Sequence, residues 1–190
     1  MYISTKLRIL VSLALLLFLI TIESLGQNSS IDMKLFQVVP LISPDSVIFP
    51  QDPALNKLKE ATLSNVYSYS GIKYGQHGIW ISTDVSTEYL DGTKVEVVAY
   101  FYLTAYGYSD QVLKDFNGQY SSQDGQVSVS NSYSSANKFG FMDNLQMFIP
   151  YRELHLARGT HGLKIIFNIF SDGNLVAISD QSLVGTVYNW

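Results

Sequence analysis

Lys94-Val95-Glu96-Val97-Val98-Ala99-Tyr100-Phe101-Tyr102-Leu103-Thr104 decides the fold class. In an extended chain successive side chains point to opposite sides, so Val95, Val97, Ala99, Phe101 and Leu103 share one face. Lys94, Glu96, Val98, Tyr100, Tyr102 and Thr104 share the other. β-Branched and aromatic residues dominate, as a pleated, half-buried surface favours. Asp91-Gly92 just upstream is a hairpin-turn dipeptide. The stretch predicts a strand with one face in a core.

The same period of two continues on both sides. Ile79, Ile81, Thr83 and Val85 alternate with Trp80, Ser82, Asp84 and Ser86. Leu145, Met147 and Ile149 alternate up to Pro150, with Phe148 pointing the other way. Leu163, Ile165, Phe167 and Ile169 alternate with Lys164, Ile166, Asn168 and Phe170. Asp124-Gly125 and Asp172-Gly173 mark further turns, with short strands expected near 127–129, 175–179 and 183–188. Short strands at regular spacing, Gly-bearing turns and no helical pattern between them predict an all-β, antiparallel β-sandwich over 65–190.

The N-terminus reads differently. Lys6 and Arg8 precede an apolar run from Ile9 to Ile22, Glu23 closes it, and Ser24-Leu25-Gly26 places small residues where a signal peptidase prefers them. The run is shorter than the roughly 20 residues of a transmembrane helix. Residues 1–26 therefore read as a cleavable signal peptide. The expected location is secreted or periplasmic, within the cell envelope, with no transmembrane helix after cleavage. Residues 27–64 read as an irregular leader interrupted by Pro40, Pro44, Pro50 and Pro53. Its apolar residues, Leu35, Phe36, Val38 and Val39 among them, suit packing over the domain or an edge strand. Asp52-Pro53 resembles a helix start, and Leu55, Leu58, Thr62 and Asn65 recur at helical spacing. These predict a short helix over 53–63.

Composition sets the limits. The 190 residues are 15% charged and 13% aromatic, with 13 Tyr, 10 Phe, no Cys and a formal charge of −4. Apolar content is sufficient for a core and argues against a mainly disordered chain. Without Cys there are no disulfides, thiolate nucleophiles or thiolate metal sites. Net negative charge argues against nucleic acid as a partner.

Several stretches resemble one another's counterparts in a known group. They are Gly75-Gln76-His77-Gly78-Ile79, Val97-Val98-Ala99-Tyr100-Phe101-Tyr102, Leu113 to Tyr120, Asp124 to Val129, and Met147 to Leu156. Together, over roughly 65–170, they resemble a bacterial β-sandwich domain of exported or multidomain proteins. That group has no activity attached to it. The resemblance implies a C2-like or immunoglobulin-like sandwich and carries over no catalytic residue. Ile166 and Phe170 depart from it, standing at outward positions where charged residues would be usual.

Three sets of residues have chemical potential. Glu153, His155 and His161 offer two imidazoles and a carboxylate, enough to ligate zinc with one position open. The plainer expectation is that the histidines bind turn backbone. Asp110, Asp115, Asn117 and Asp124 fall on loops, where C2-like sandwiches hold Ca²⁺, although turns also favour Asp and Asn. No Gly-x-Ser-x-Gly elbow is present, and Ser135-Ala136-Asn137-Lys138 lacks its companion motifs.

The aromatic face is the third set. Tyr100, Tyr102, Phe148, Ile166 and Phe170 all point away from the expected core faces. Exposed aromatic clusters mark partner or ligand surfaces. Tyr106, Tyr108, Tyr120, Tyr133 and Tyr151 add Tyr near loops. The expected function is a non-catalytic module with no cofactor, binding a protein or glycan partner in the envelope. The alternative is a metal-dependent module or enzyme using Ca²⁺ or Zn²⁺.

Overall fold

A computed structural model describes residues 32–40, 59–104 and 110–189. The expected signal peptide, positions 53–58 of the expected helix, and Tyr106 and Tyr108 lie outside the described residues.

The described chain is built from strands. They are β1 (Asp32–Pro40), β2 (Glu60–Lys73), β3 (Gln76–Glu88), β4 (Lys94–Thr104), β5 (Gln111–Val112), β6 (Ser128–Ser134), β7 (Phe139–Pro150), β8 (Gly159–Ser171) and β9 (Asn174–Asn189). One 3-10 turn, Tyr151–Leu154, follows β7. Two antiparallel sheets result. The larger runs β1-β9-β8-β4, and β5 and β6 both pair with the remaining edge of β4. The smaller is β2-β3-β7. The predicted all-β sandwich is the observed architecture.

The inner faces are those read from the period of two. Val97, Ala99 and Phe101 of β4 pair with Ile169, Phe167 and Ile165 of β8, and these six, with Val95 and Leu163, are all fully buried. Ile79, Ile81 and Val85 of β3, and Leu145, Met147 and Ile149 of β7, face them in one core cluster. Full burial of such a side chain contributes about 1.5–3 kcal/mol. This core holds the two sheets together without disulfides.

Two expectations change. The expected helix does not extend to 60–63, because that stretch begins β2. Ala61 and Leu63 point inward at a period of two, and pairing with Val85 to Glu88 of β3 satisfies the backbone as a helix would. The two short C-terminal strands are one strand, β9, whose register against β8 shifts twice. The leader's edge-strand expectation is met by β1, which pairs with β9 at the border of the larger sheet.

Both neighbours of β3 bulge at the same place. Residues 65 and 66 of β2 oppose a single position of β3, and so do Asp143 and Asn144 of β7. Asn65 and Asn144 adopt left-handed φ values of 50° and 53°. Asp84 lies between them, accepting from the Asn65 Nδ2 at 2.6 Å and the Asn144 N–H at 2.9 Å. The Asn144 N–H, and next the Asn65 amide, hold the Asp84 carboxyl below the usual range. Bulges re-aim side chains and gather near functional surfaces.

Candidate functional site

Four of the five expected face residues come together on the outside of the larger sheet. The register sets Ser128, Tyr100 and Ile166 in one row across β6, β4 and β8. Ser130, Val98 and Asn168 form the next row, and Ser132, Glu96 and Phe170 the one after. Tyr102 continues the β4 line opposite Lys164, whose Nζ is held by Asp110 Oδ2 at 2.7 Å. Tyr100, Tyr102, Ile166 and Phe170 are each half-buried.

The turn after Tyr120 closes one side of this face. Gly125 N–H donates to the Ser122 carbonyl, and Ser122 N–H donates to the Gln126 carbonyl, so the turn is fixed by its own backbone. Between turn and sheet runs a groove of about 450 Å³. Tyr100, Val98 and Phe170 supply its apolar lining. Ser121, Ser122, Gln123 and Asp124 line it from the turn. Ser128, Ser130 and Glu96 line it from the strands, and the Ser130 hydroxyl donates to Glu96 Oε1 at 2.7 Å. Tyr102 and Ile166 stand beside the groove rather than in its lining.

The protonation of Tyr100 follows from its place. Burial pushes its phenol above the ordinary value, Tyr102 adds to this, and the Asp124 and Glu96 carboxylates add further. Tyr100 therefore keeps its proton near neutral pH and can donate a hydrogen bond from the edge of a flat ring.

Phe148 belongs elsewhere. It lies on β7 in the smaller sheet, only 6% exposed, with its ring 5.0 Å from that of Trp80. It is an outward residue of its own sheet, as its alternation predicts, but Trp80 covers it. The surface of that sheet is itself aromatic. The Tyr67 and Tyr69 rings are 6.2 Å apart, and those of Tyr69 and Trp80 are 6.3 Å apart and nearly parallel. Tyr67 and Tyr69 were not among the expected residues, because no strand was expected between the leader and Ile79. The spacing of Tyr67, Tyr69 and Gly71 at a period of two was the available signal.

The structure does not assemble Glu153, His155 and His161 around one point. Glu153 is 2% exposed and accepts from Asn117 Nδ2 at 2.7 Å and Arg152 Nε at 2.8 Å. His155 Nε2 pairs with Asp115 Oδ1 at 3.0 Å. His161 Nε2 reaches the Ala157 carbonyl at 2.7 Å, a turn-backbone contact of the plainer kind. Among the described residues, no group of three or more His, Asp or Glu side chains is placed to hold a metal ion.

Of the four loop residues expected for calcium, Asp110, Asp115 and Asn117 have side chains engaged separately. Asp110 pairs with Lys164. Asp115 accepts from the Asn117 N–H, and Asn117 Oδ1 from the Gln119 N–H, as turn-forming side chains do. The Asp124 carbonyl accepts from Lys114 Nζ. Glu153 and His155 thus clamp the 115–117 loop onto the 3-10 turn. Burial alone would raise the Asp115 carboxyl, but the Asn117 N–H, His155 and the Tyr120 N–H outweigh it and hold it below 3.8.

Tyr151 is buried, whereas Tyr120 and Tyr133 are half-buried and pack against the core cluster. No helix among the described residues is long and apolar enough to cross a membrane. Comparison with protein-family models, curated proteins and solved structures finds no match to the chain.

Proposed function

We propose that this protein is an exported, non-catalytic glycan-binding module, and that the groove on the larger sheet is its binding site. The supporting observation is the groove's mixed lining. Tyr100 and Phe170 contribute aromatic rings, while Ser, Gln, Asp and Glu side chains surround them. A pyranose has the matching chemistry, with apolar C–H faces that stack on rings and a rim of hydroxyls. Those hydroxyls can donate to Glu96 and Asp124 and accept from Ser, Gln and the Tyr100 phenol. A volume of about 450 Å³ lies within the roughly 300–1,000 Å³ of ligand sites and suits a short oligosaccharide.

Glu96 and Asp124 also set the ligand's charge. Two carboxylates beside the rings disfavour an anionic sugar and favour a neutral one. The signal-peptide pattern of residues 1–26 supports a location where envelope or extracellular polysaccharide is met.

The test is retention of the purified protein in native gels containing neutral polysaccharides such as xylan, glucomannan or β-glucan. At least one should retard it, and Tyr100→Ala and Phe170→Ala should release it while remaining folded by circular dichroism. Equal mobility of wild type and both variants in every gel would overturn the reading.

A further inference from the structure

The outer face of the smaller sheet carries a second aromatic surface with a different electrostatic character. Tyr67 and Tyr69 are 50% and 41% exposed, and their rings continue into that of Trp80. The rings are seated by missing side chains. A Cβ on Gly71 would lie 2.6 Å from Trp80 Cδ1, and one on Gly78 would lie 2.6 Å from Phe148 Cζ. The two glycines are register partners on β2 and β3. Trp80 and Phe148 therefore lie across backbone that only glycine leaves free. Such seating fixes the rings before a ligand arrives, which lowers the ordering cost of binding.

Lys73 is the cation beside the Trp80 and Phe148 rings. Its Nζ stands 5.2 Å from the Trp80 ring, 5.9 Å from Phe148 and 5.7 Å from Tyr74. Among the described residues it has no carboxylate partner. An ammonium held over rings, yet left without a counter-ion, calls for an anion beside an apolar body. At the other end of the row, Asn65, Ser82, Asp84 and Asn144 line a cleft of about 660 Å³ beside Tyr67. Asp84 is fixed there by its two hydrogen bonds. From Asn65 to Lys73 the strand spans roughly 25 Å. That length takes an oligomer, polar and neutral at the Asp84 end and anionic at the Lys73 end.

We infer that this face is a second glycan site, specific for an acidic chain whose sugar rings stack on Tyr67, Tyr69 and Trp80 while Lys73 pairs with a carboxylate or sulfate. It is independent of the groove on the larger sheet, where carboxylates favour a neutral ligand.

The test is calorimetric titration of the purified protein with oligogalacturonate, its methyl ester and dextran sulfate. Oligogalacturonate should bind, and its methyl ester at least 10-fold more weakly. Lys73→Gln, an exposed-face change that leaves the melting temperature unmoved, should weaken oligogalacturonate at least 10-fold. Tyr69→Ala should weaken both acid and ester. Dextran sulfate binding more tightly, with the same Lys73 dependence, would assign sulfate as the anion read. Tyr100→Ala and Phe170→Ala should leave all these affinities unchanged, so failure of the first groove and failure of this one are separable. No binding of either anionic probe, equal binding of acid and ester, or indifference to Lys73→Gln would each overturn the inference. So would a protein partner lost with Tyr69→Ala when no saccharide binds.

Discussion

Adding one methyl group at Gly78 tests how the smaller sheet is assembled. A Cβ there would press on the Ile149 carbonyl oxygen and approach Phe148 Cζ at 2.6 Å. The carbonyl is backbone within the β3–β7 pair, where Ile79 and Ile149 are partners, so it cannot swing aside. Overpacking costs about 1–3 kcal/mol, and here the upper end applies because a strand must move. Replacing Gly by Ala returns about 0.5–1 kcal/mol of chain entropy. The net loss for Gly78→Ala is about 2 kcal/mol. For a domain of this size that lowers Tm by roughly 4–8 °C.

Gly71 is the internal control. Its Cβ would meet only the Trp80 side chain, at 2.6 Å and 3.0 Å, and a side chain can lift away. Gly71→Ala should therefore change stability by less than about 1 kcal/mol while displacing the ring. The assay is urea unfolding of both variants, with tryptophan fluorescence in a Trp190→Phe background so that Trp80 alone reports. Gly78→Ala as stable as wild type, or Gly71→Ala the more damaging, would refute the packing described.

Four further outcomes follow from the same contacts. Phe167→Ala, at a fully buried position, should cost about 3–5 kcal/mol with an unchanged denaturant slope; a loss below about 1 kcal/mol would mean the inner face is not a core. Asn117→Ala removes a donor from buried Glu153 and should cost about 1–3 kcal/mol in urea melts; an unchanged midpoint would contradict this. Asp115 has a lowered folded pKa, so its contribution is full above 3.8 and fades as pH falls through the lower folded value; Asp115→Asn should flatten the acid limb of stability, and an unchanged limb would contradict this. Chelator, or one equivalent of Zn²⁺ or Ca²⁺, should leave Tm unmoved, because Glu153, His155 and His161 are engaged separately; a shift of several degrees would expose a metal site.

Legibility followed the period of two. On β4, β8, β3 and β7 the alternation named the buried faces, because each of those strands keeps one side against the other sheet. It also placed Tyr100, Tyr102, Ile166 and Phe170 on a common outer face. It could not say which sheet a residue joins, so Phe148 was grouped with them although it lies under Trp80. Strand β2 was hidden by its bulge. Leu63 and Val66 both point inward across the bulge, a step of three residues that breaks the period of two. The helical spacing came from Leu55, Leu58, Thr62 and Asn65, of which Thr62 and Asn65 are exposed in β2. Met142 and Leu145 repeat the step of three at the β7 bulge. The groove was illegible because it depends on the Ser121–Asp124 turn folding over the sheet, a contact between segments that no local pattern encodes. The spacing of Glu153 and His155 suggested a shared ligand, but tertiary contacts with Asn117 and Asp115 occupy both.

Backbone amide chemical-shift mapping during titration with a neutral oligosaccharide tests the glycan-binding groove most directly. The expected perturbations cluster at 96–100, 121–130 and 170–173, and Phe170→Ala abolishes them. Saturable shifts confined to the 113–120 loop and the 151–155 turn, or shifts that survive Phe170→Ala, would contradict the assignment.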